Sequence, residues 1–264
     1  MRNLKQTLWA GLCLWATFST TMQAQFDEIG TFIGISTYSG DLTERRLEPL
    51  EFNPAMGVYV RRTLSKKVSL KVNLYRGVIS GDDARSSVES GLWRRNLSFR
   101  SELYELGVLF EYAFLSPDDD FFYSTPYVFG GISAFYFNPQ TALDGKIYDL
   151  RVYRTEGVAY SPFQAAIPFG AGFKMVVNQR GSLGLEVGLR KTFTDYLDDV
   201  SGTYAADLIM ADRRNAVRTR LAYRAPEILP DAPPLPPPGQ QRGNPEKDDW
   251  YFFFGLTLGL RLSQ

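Results

Sequence analysis

Apolar and polar residues alternate one for one along eight stretches of the chain, and the gaps between the stretches are by turns short and long. The last stretch is the clearest. Phe252, Phe254, Leu256, Leu258, Leu260 and Leu262 share one side; Tyr251, Phe253, Gly255, Thr257, Gly259 and Arg261 share the other. A period of two belongs to a β-strand, whose successive side chains face opposite sides of the sheet. An outer face that stays apolar over so many positions, while the inner face carries Arg, suits a barrel with lipid outside and a polar lumen inside.

The alternation predicts strands over about 28–38, 55–64, 68–78, 101–114, 124–137, 164–177, 182–194 and 249–262. Each is about as long as the 9–11 residues of a tilted membrane strand. Backbone groups cannot stay unpaired in lipid, so the strands must close on themselves. The expected fold is therefore all-β: an eight-stranded antiparallel transmembrane β-barrel. The gaps at 65–67, 115–123 and 178–181 are short, and those near 39–54, 79–100, 138–163 and 195–248 are long. Short periplasmic turns and long extracellular loops then place both chain ends at the periplasm.

The same parity turns Glu28, Lys71, Glu105 and Glu111 inward, together with Lys174, Glu186, Arg190 and Arg261. Both signs are present, and a lumen this narrow is filled by side chains, so a paired polar plug is favoured over a selectivity ring. Inward glycines such as Gly30, Gly34, Gly170 and Gly172 leave room for those long side chains or curve the strands. Tyr38, Tyr104, Tyr127, Trp250 and Phe252 fall near strand ends, where interfacial aromatic girdles sit.

Composition narrows the function. The 264 residues have a formal net charge of +0, no His and one Cys, Cys13. Balanced charge gives no footprint for nucleic acid. Arg2 and Lys5 precede an uncharged run, Thr7–Phe18, and Ala24 stands before Gln25. A basic start, a short apolar core and a small residue predict a signal peptide over 1–24, cleaved between Ala24 and Gln25, with the barrel over 25–264. The mature chain then has neither His nor Cys, which removes the usual general base, the strongest nucleophile and the commonest metal ligands. A non-enzymatic protein with no cofactor and no small-molecule substrate is expected.

The last long loop, 195–248, is unusual. Tyr204–Tyr223 reads as a helix, made basic by Arg213, Arg214, Arg218, Arg220 and Arg224, which serve a solvated face or meet lipid phosphates. Pro226, Pro230, Pro233, Pro234 and Pro236–Pro238 predict an extended spacer without backbone hydrogen bonds. Asp195, Asp198 and Asp199 supply oxygen ligands suited to Ca²⁺, but they lack the spacing of a twelve-residue calcium loop and read first as a hydrogen-bonded turn. Asp118, Asp119 and Asp120 make an acidic periplasmic turn, the candidate contact for a basic partner.

Several peptides in this frame resemble a known family: Tyr38-Ser39-Gly40-Asp41-Leu42, Asn96-Leu97-Ser98-Phe99, Thr125-Pro126-Tyr127-Val128-Phe129, Asn138-Pro139, Thr155-Glu156-Gly157 and Ile167-Pro168-Phe169-Gly170-Ala171-Gly172. The most specific is Thr194-Asp195-Tyr196-Leu197-Asp198-Asp199-Val200-Ser201. In this order they resemble the PorG-like outer-membrane barrels of Bacteroidetes, a component of the type IX secretion system. The resemblance runs from about Glu28 to the C-terminus and leaves out the proline run. It implies a non-enzymatic barrel in the cell outer membrane, associated with a periplasmic PorK–PorN ring and needed for protein export. The alternative is a general surface barrel for envelope stability or adhesion.

Overall fold

The computed structural model describes residues 26–115, 123–177, 180–209, 216–237 and 239–262. Eight long strands form the wall: β1 (Glu28–Ser39), β2 (Asn53–Thr63), β3 (Val68–Asp82), β4 (Ser98–Ala113), β5 (Tyr123–Leu143), β7 (Phe163–Val176), β8 (Gly181–Thr192) and β9 (Trp250–Arg261). A short strand, β6 (Lys146–Asp149), pairs only with the far end of β5. The order is β4-β3-β2-β1-β9-β8-β7-β5, and a β4–β5 ladder closes the ring, so each wall strand has two antiparallel neighbours. The first and last strands pair along their length, from Glu28↔Arg261 to Ser39↔Trp250. Closure matters because an open edge would leave unpaired backbone groups in lipid.

The observed strands match the predicted ones within three residues at each end, with two exceptions. β3 runs on to Asp82 and β5 to Leu143, and β6 was not foreseen. One side of the barrel therefore rises above the rest.

Parity along β4 explains both the match and the overrun. Glu105, Gly107, Leu109 and Glu111 face the lumen, and Leu106, Val108, Phe110 and Tyr112 are exposed outside. Nearer the outer end Phe99 and Leu103 are buried inside, while Arg100 and Glu102 face outward. The facing never changes, but its chemistry inverts. The apolar exterior gives way to a polar one where the wall leaves the membrane. Along β9 the outward residues from Phe254 to Leu262 cover about 20 Å of height, at about 3.3 Å per residue and a tilt near 40°. Leu256, Leu258 and Leu260 in that belt are 47%, 49% and 64% exposed, a pattern that water would penalise and lipid does not. Among the described residues no helix is long and apolar enough to cross a membrane, and the strands do the crossing. This is a transmembrane barrel of the outer-membrane type.

Two girdle assignments need correction. Tyr104 and Trp250 do lie on the exterior, where Trp250 meets Phe169 edge-on and Lys191 sits 5.4 Å from its ring. Tyr38 and Tyr127 point into the lumen and are buried, because each has the inward parity of its strand. Phe252 keeps outward parity but is covered, stacked on Phe254.

Candidate functional site at the two mouths of the barrel

The middle of the lumen is closed by ion pairs. Arg190 donates to Glu105 at 3.0 and 3.1 Å, and Lys71 to Glu186 at 2.5 Å, with the charged atoms out of reach of solvent. Arg61 bridges Glu28 and Glu111, and Lys174 donates to Glu28 at 2.7 Å. Four cations (Arg61, Lys71, Lys174, Arg190) thus meet four carboxylates (Glu28, Glu105, Glu111, Glu186), and the interior is neutral. Tyrosines finish the network: Tyr59 donates to Glu28, Tyr127 to Glu186 and Tyr251 to Glu105. Burying so many charges is tolerable only because each is paired and hydrogen-bonded. Glycines make the room. A methyl group at Gly30 would run into the Tyr59 ring, and one at Gly172 into the Tyr127 ring. The inward charges were legible from alternation. Arg61 was missed, because β2 alternates poorly and gives no clear phase.

Above this network the lumen turns apolar. Phe32, Tyr75, Phe135, Tyr251 and Phe253 pack with ring centroids 4.6–6.0 Å apart. The eight-residue motif of the last loop sits on top of them. Leu197 and Val200 are buried in the same core, and Thr194 and Ser201 are nearly so. Tyr196 stacks on Tyr160 at 4.7 Å.

Every other outer loop contributes a bond to this plug. From the first, Tyr38 donates its hydroxyl to Asp198 and accepts from the Leu42 amide at 3.0 Å. From the second, Arg95 reaches the Asp41 and Arg242 carbonyls, clamped by Asp83 at 2.7 and 3.0 Å. From the third, Thr155 and Tyr160 donate to Asp199, and Glu156 accepts from the Ser201 and Gly202 amides at 2.9 Å. The last loop returns Arg242 to Glu156 at 3.0 Å and to the Asp199 carbonyl. Asp249 accepts the Leu197 amide at 2.9 Å. Four of the peptides that carry the family resemblance, scattered from Tyr38 to Ser201, therefore meet in one place.

The plug is rich in uneasy carboxyls. Burial pushes Asp195 up to about 8, and the charges of Asp41, Glu156 and Asp248 add to it. Burial raises Asp199 to about 6 against the pull of Arg242. Asp198 and Asp249 are both raised by burial and then by each other or by Asp41. Asp249 Oδ1 has no hydrogen-bond partner. Asp195, Asp198 and Asp199 do not converge on one point, and among the described residues no cluster of acidic side chains has the arrangement of a metal site. Asp198 instead closes a turn onto the Val200 amide at 2.8 Å.

The rest of the last loop departs from expectation. Among the described residues of the expected helix, Ala206–Ile209 form a 3-10 turn and Ala216–Ala222 a short helix, α1. The first part of the proline run, through Ala232, is not an extended spacer. The Leu229 amide donates to Ala225 and the Ala232 amide to Leu229, and both side chains pack on a small core of Tyr204, Leu208, Ala222 and Tyr223. Proline removes only its own donor, so its neighbours can still close turns. Arg218 pairs with Asp207, Arg220 with Asp144 and Arg224 with Glu227, so these arginines spend their charge within the loops.

The described residues leave the periplasmic mouth unplugged. A cavity of about 410 Å³ lies there, floored by Arg61, Glu28, Glu111 and Lys174 and rimmed by Lys66, Lys67 and Arg261. The proposed contact Asp118, Asp119 and Asp120, the cleavage site at Ala24 and Gln25, and Arg213, Arg214 and Pro238 lie outside the described residues.

Residues 5–208 match the model of a family described as a domain of unknown function, DUF6089. The chain belongs to that family. The matched span includes the plug motif and ends before α1 and the proline run. No curated protein matches the chain. Among solved structures it is similar to the N-terminal β-barrel domain of Pseudomonas aeruginosa OprF, at 12% identity and TM-score 0.38 over 90% of this chain and 98% of that one. Neisserial surface protein A gives 8% identity and TM-score 0.44 over 89% and 96%. Yersinia pestis Ail, in complex with a heparin analogue, gives 8% identity and TM-score 0.42 over 90% and 100%.

Proposed function

We propose that this barrel is a non-enzymatic component of the type IX protein secretion system, anchoring a periplasmic ring of the PorK–PorN kind to the outer membrane and supporting protein export. The observation that carries the reading is the asymmetry of the lumen. Its middle is sealed by buried ion pairs and its outer mouth by the Thr194–Ser201 motif, while the described residues leave a cavity at the periplasmic mouth. A barrel sealed this way is no conduit for cargo, and the end available to periplasmic proteins is the unsealed one. The assembled Tyr38–Leu42, Asn96–Phe99, Thr155–Gly157 and Thr194–Ser201 peptides support the PorG-like reading, since that resemblance rests on residues with a shared structural task.

Deleting the gene tests the proposal. Cargo bearing a C-terminal secretion signal should accumulate in the periplasm, and the ring proteins should fractionate away from the outer membrane. Normal export with an intact ring would sink it. The ordered outer cap favours one second reading, a general surface barrel, for which deletion would change cell-surface binding and leave export alone.

A further inference from the structure

We infer that the periplasmic vestibule is a receptor for a carboxylate-bearing peptide segment of a periplasmic protein, held by Lys66, Lys67 and Arg261. The inference rests on the reading of this end as the docking face and names the chemistry that docks.

Charge is the first argument. The lining brings five cations, Arg61, Lys66, Lys67, Lys174 and Arg261, against three carboxylates, Asp27, Glu28 and Glu111. The deeper groups satisfy one another: Arg61 spans Glu28 and Glu111, and Lys174 takes the second oxygen of Glu28. Asp27 is engaged by the Thr63 amide. Among the described residues no carboxylate lies within ion-pair distance of Lys66, Lys67 or Arg261. Among the described residues the surplus positive charge therefore sits at the rim of a neutral floor.

The rim is also held in place. Lys67 Nζ donates to the Phe114 carbonyl at 3.2 Å, and Arg261 donates to the Tyr123 hydroxyl at 3.0 Å with its guanidinium 5.8 Å from that ring. Neutral acceptors position these cations without cancelling their charge. Fixed, unneutralised donors around a concave site are what an anion needs, because little side-chain freedom is lost when it arrives.

Size and access choose the source of the anion. At about 30 Å³ per water molecule, 410 Å³ holds roughly a dozen waters or a few side chains. Ala113 and Leu115 line part of the wall and suit the methylene stem of an acidic residue. Arg261 and Lys174 have inward parity, so they face the lumen rather than the lipid headgroups around the barrel. The floor is sealed above by Lys71 and Glu186, so any occupant comes from the periplasm.

The test uses the full mature barrel in nanodiscs of zwitterionic phosphatidylcholine. The probe is a fluorescent peptide of alternating Asp and Gly, beside the same peptide with Asn for Asp. The Asp peptide should bind, weaken as salt is raised, and lose about tenfold in affinity in the variant Lys66→Gln/Lys67→Gln/Arg261→Gln. Arg45→Gln, exposed at the opposite mouth, should stay within about twofold of the parent. Equal binding of the Asn peptide, or an unchanged affinity in the triple variant, overturns the inference. Complete displacement by millimolar inorganic phosphate would assign the site to a free anion instead. Loss of binding in discs containing phosphatidylglycerol would assign it to lipid. If the triple variant fails to assemble, Arg261→Gln alone decides, with at least about a threefold loss expected. Peptide binding is read on purified protein, so its failure is distinct from a normal secretome after gene deletion.

Discussion

The two mouths of this barrel are built from opposite materials. At the outer mouth, aromatic and aliphatic side chains fill the lumen, and a buried motif together with Arg95 and Arg242 ties four loops together. At the periplasmic mouth the described residues line a charged cavity with more cations than carboxylates. The outer mouth buries its polar groups, Asp249 Oδ1 without a partner among them; at the inner mouth Lys66, Lys67 and Arg261 have no carboxylate within ion-pair distance among the described residues. Stability and recognition are thus separated along one axis: the outer half holds the barrel's end closed, and the inner half keeps charge available for something else.

Breaking the seal between the halves should have the largest effect. Glu105→Ala leaves Arg190 buried without its partner and also strands the Tyr251 hydroxyl. It should cost about 3–5 kcal/mol in urea unfolding from lipid vesicles. Replacing both members, Glu105→Leu with Arg190→Met, should recover most of that loss, because no lone charge remains. An unchanged midpoint in the single variant would mean that water reaches this part of the lumen.

Next comes the plug. Arg242→Met removes the cation shared by Glu156 and Asp199 and should cost about 2–4 kcal/mol, felt locally. Proteolysis of intact cells should then cut within 203–245 several times faster than in the parent, while the barrel itself still assembles. Equal rates in the two would show that the cap does not depend on this arginine.

A smaller and graded effect should follow pH. The carboxyls of Asp195 and Asp199 sit at about 8 and about 6 in the folded cap, above their ordinary 3.8. The folded cap therefore prefers their neutral forms. That contribution is fully present below about pH 4 and is lost as pH rises through about 6 and then about 8. Amide exchange at Leu197 and Val200, corrected for its intrinsic pH dependence, should speed up across pH 5.5 to 8.5. Asp195→Asn should flatten the upper part of that profile. A flat profile in the parent would mean that the acids are charged and solvated.

The smallest effect serves as the control. Arg220 and Asp144 form a bidentate pair on the cap surface, each at least half exposed. Arg220→Gln should change cap protection by no more than about 0.5 kcal/mol. A loss as large as that from Arg242→Met would erase the distinction between buried and surface pairs on which the comparison rests.

Period-two alternation, with the need to pair every backbone group in lipid, determined the strand number, the barrel's closure and the inward facing of Lys71, Glu105, Glu186 and Arg190. It could do so because the parity of a strand is a local property and lipid imposes a strict outer chemistry on it. The same parity could not say where the membrane ends. From Leu103 back to Phe99 in β4, and from Phe135 on to Leu143 in β5, the inside becomes apolar and the outside polar, so the pattern inverts and the strands β3 and β5 outrun the predicted limits. Arg61 and the inward Tyr38 and Tyr127 were hidden because strands β1, β2 and β5 alternate less cleanly. The plug was visible only as peptides whose purpose did not show. Asp198 meets Tyr38 across 160 positions and Arg242 meets Glu156 across 86, and nothing local records such distances. Those partners, and the cavity at the other end, were decided when the wall closed and brought four loops over one mouth.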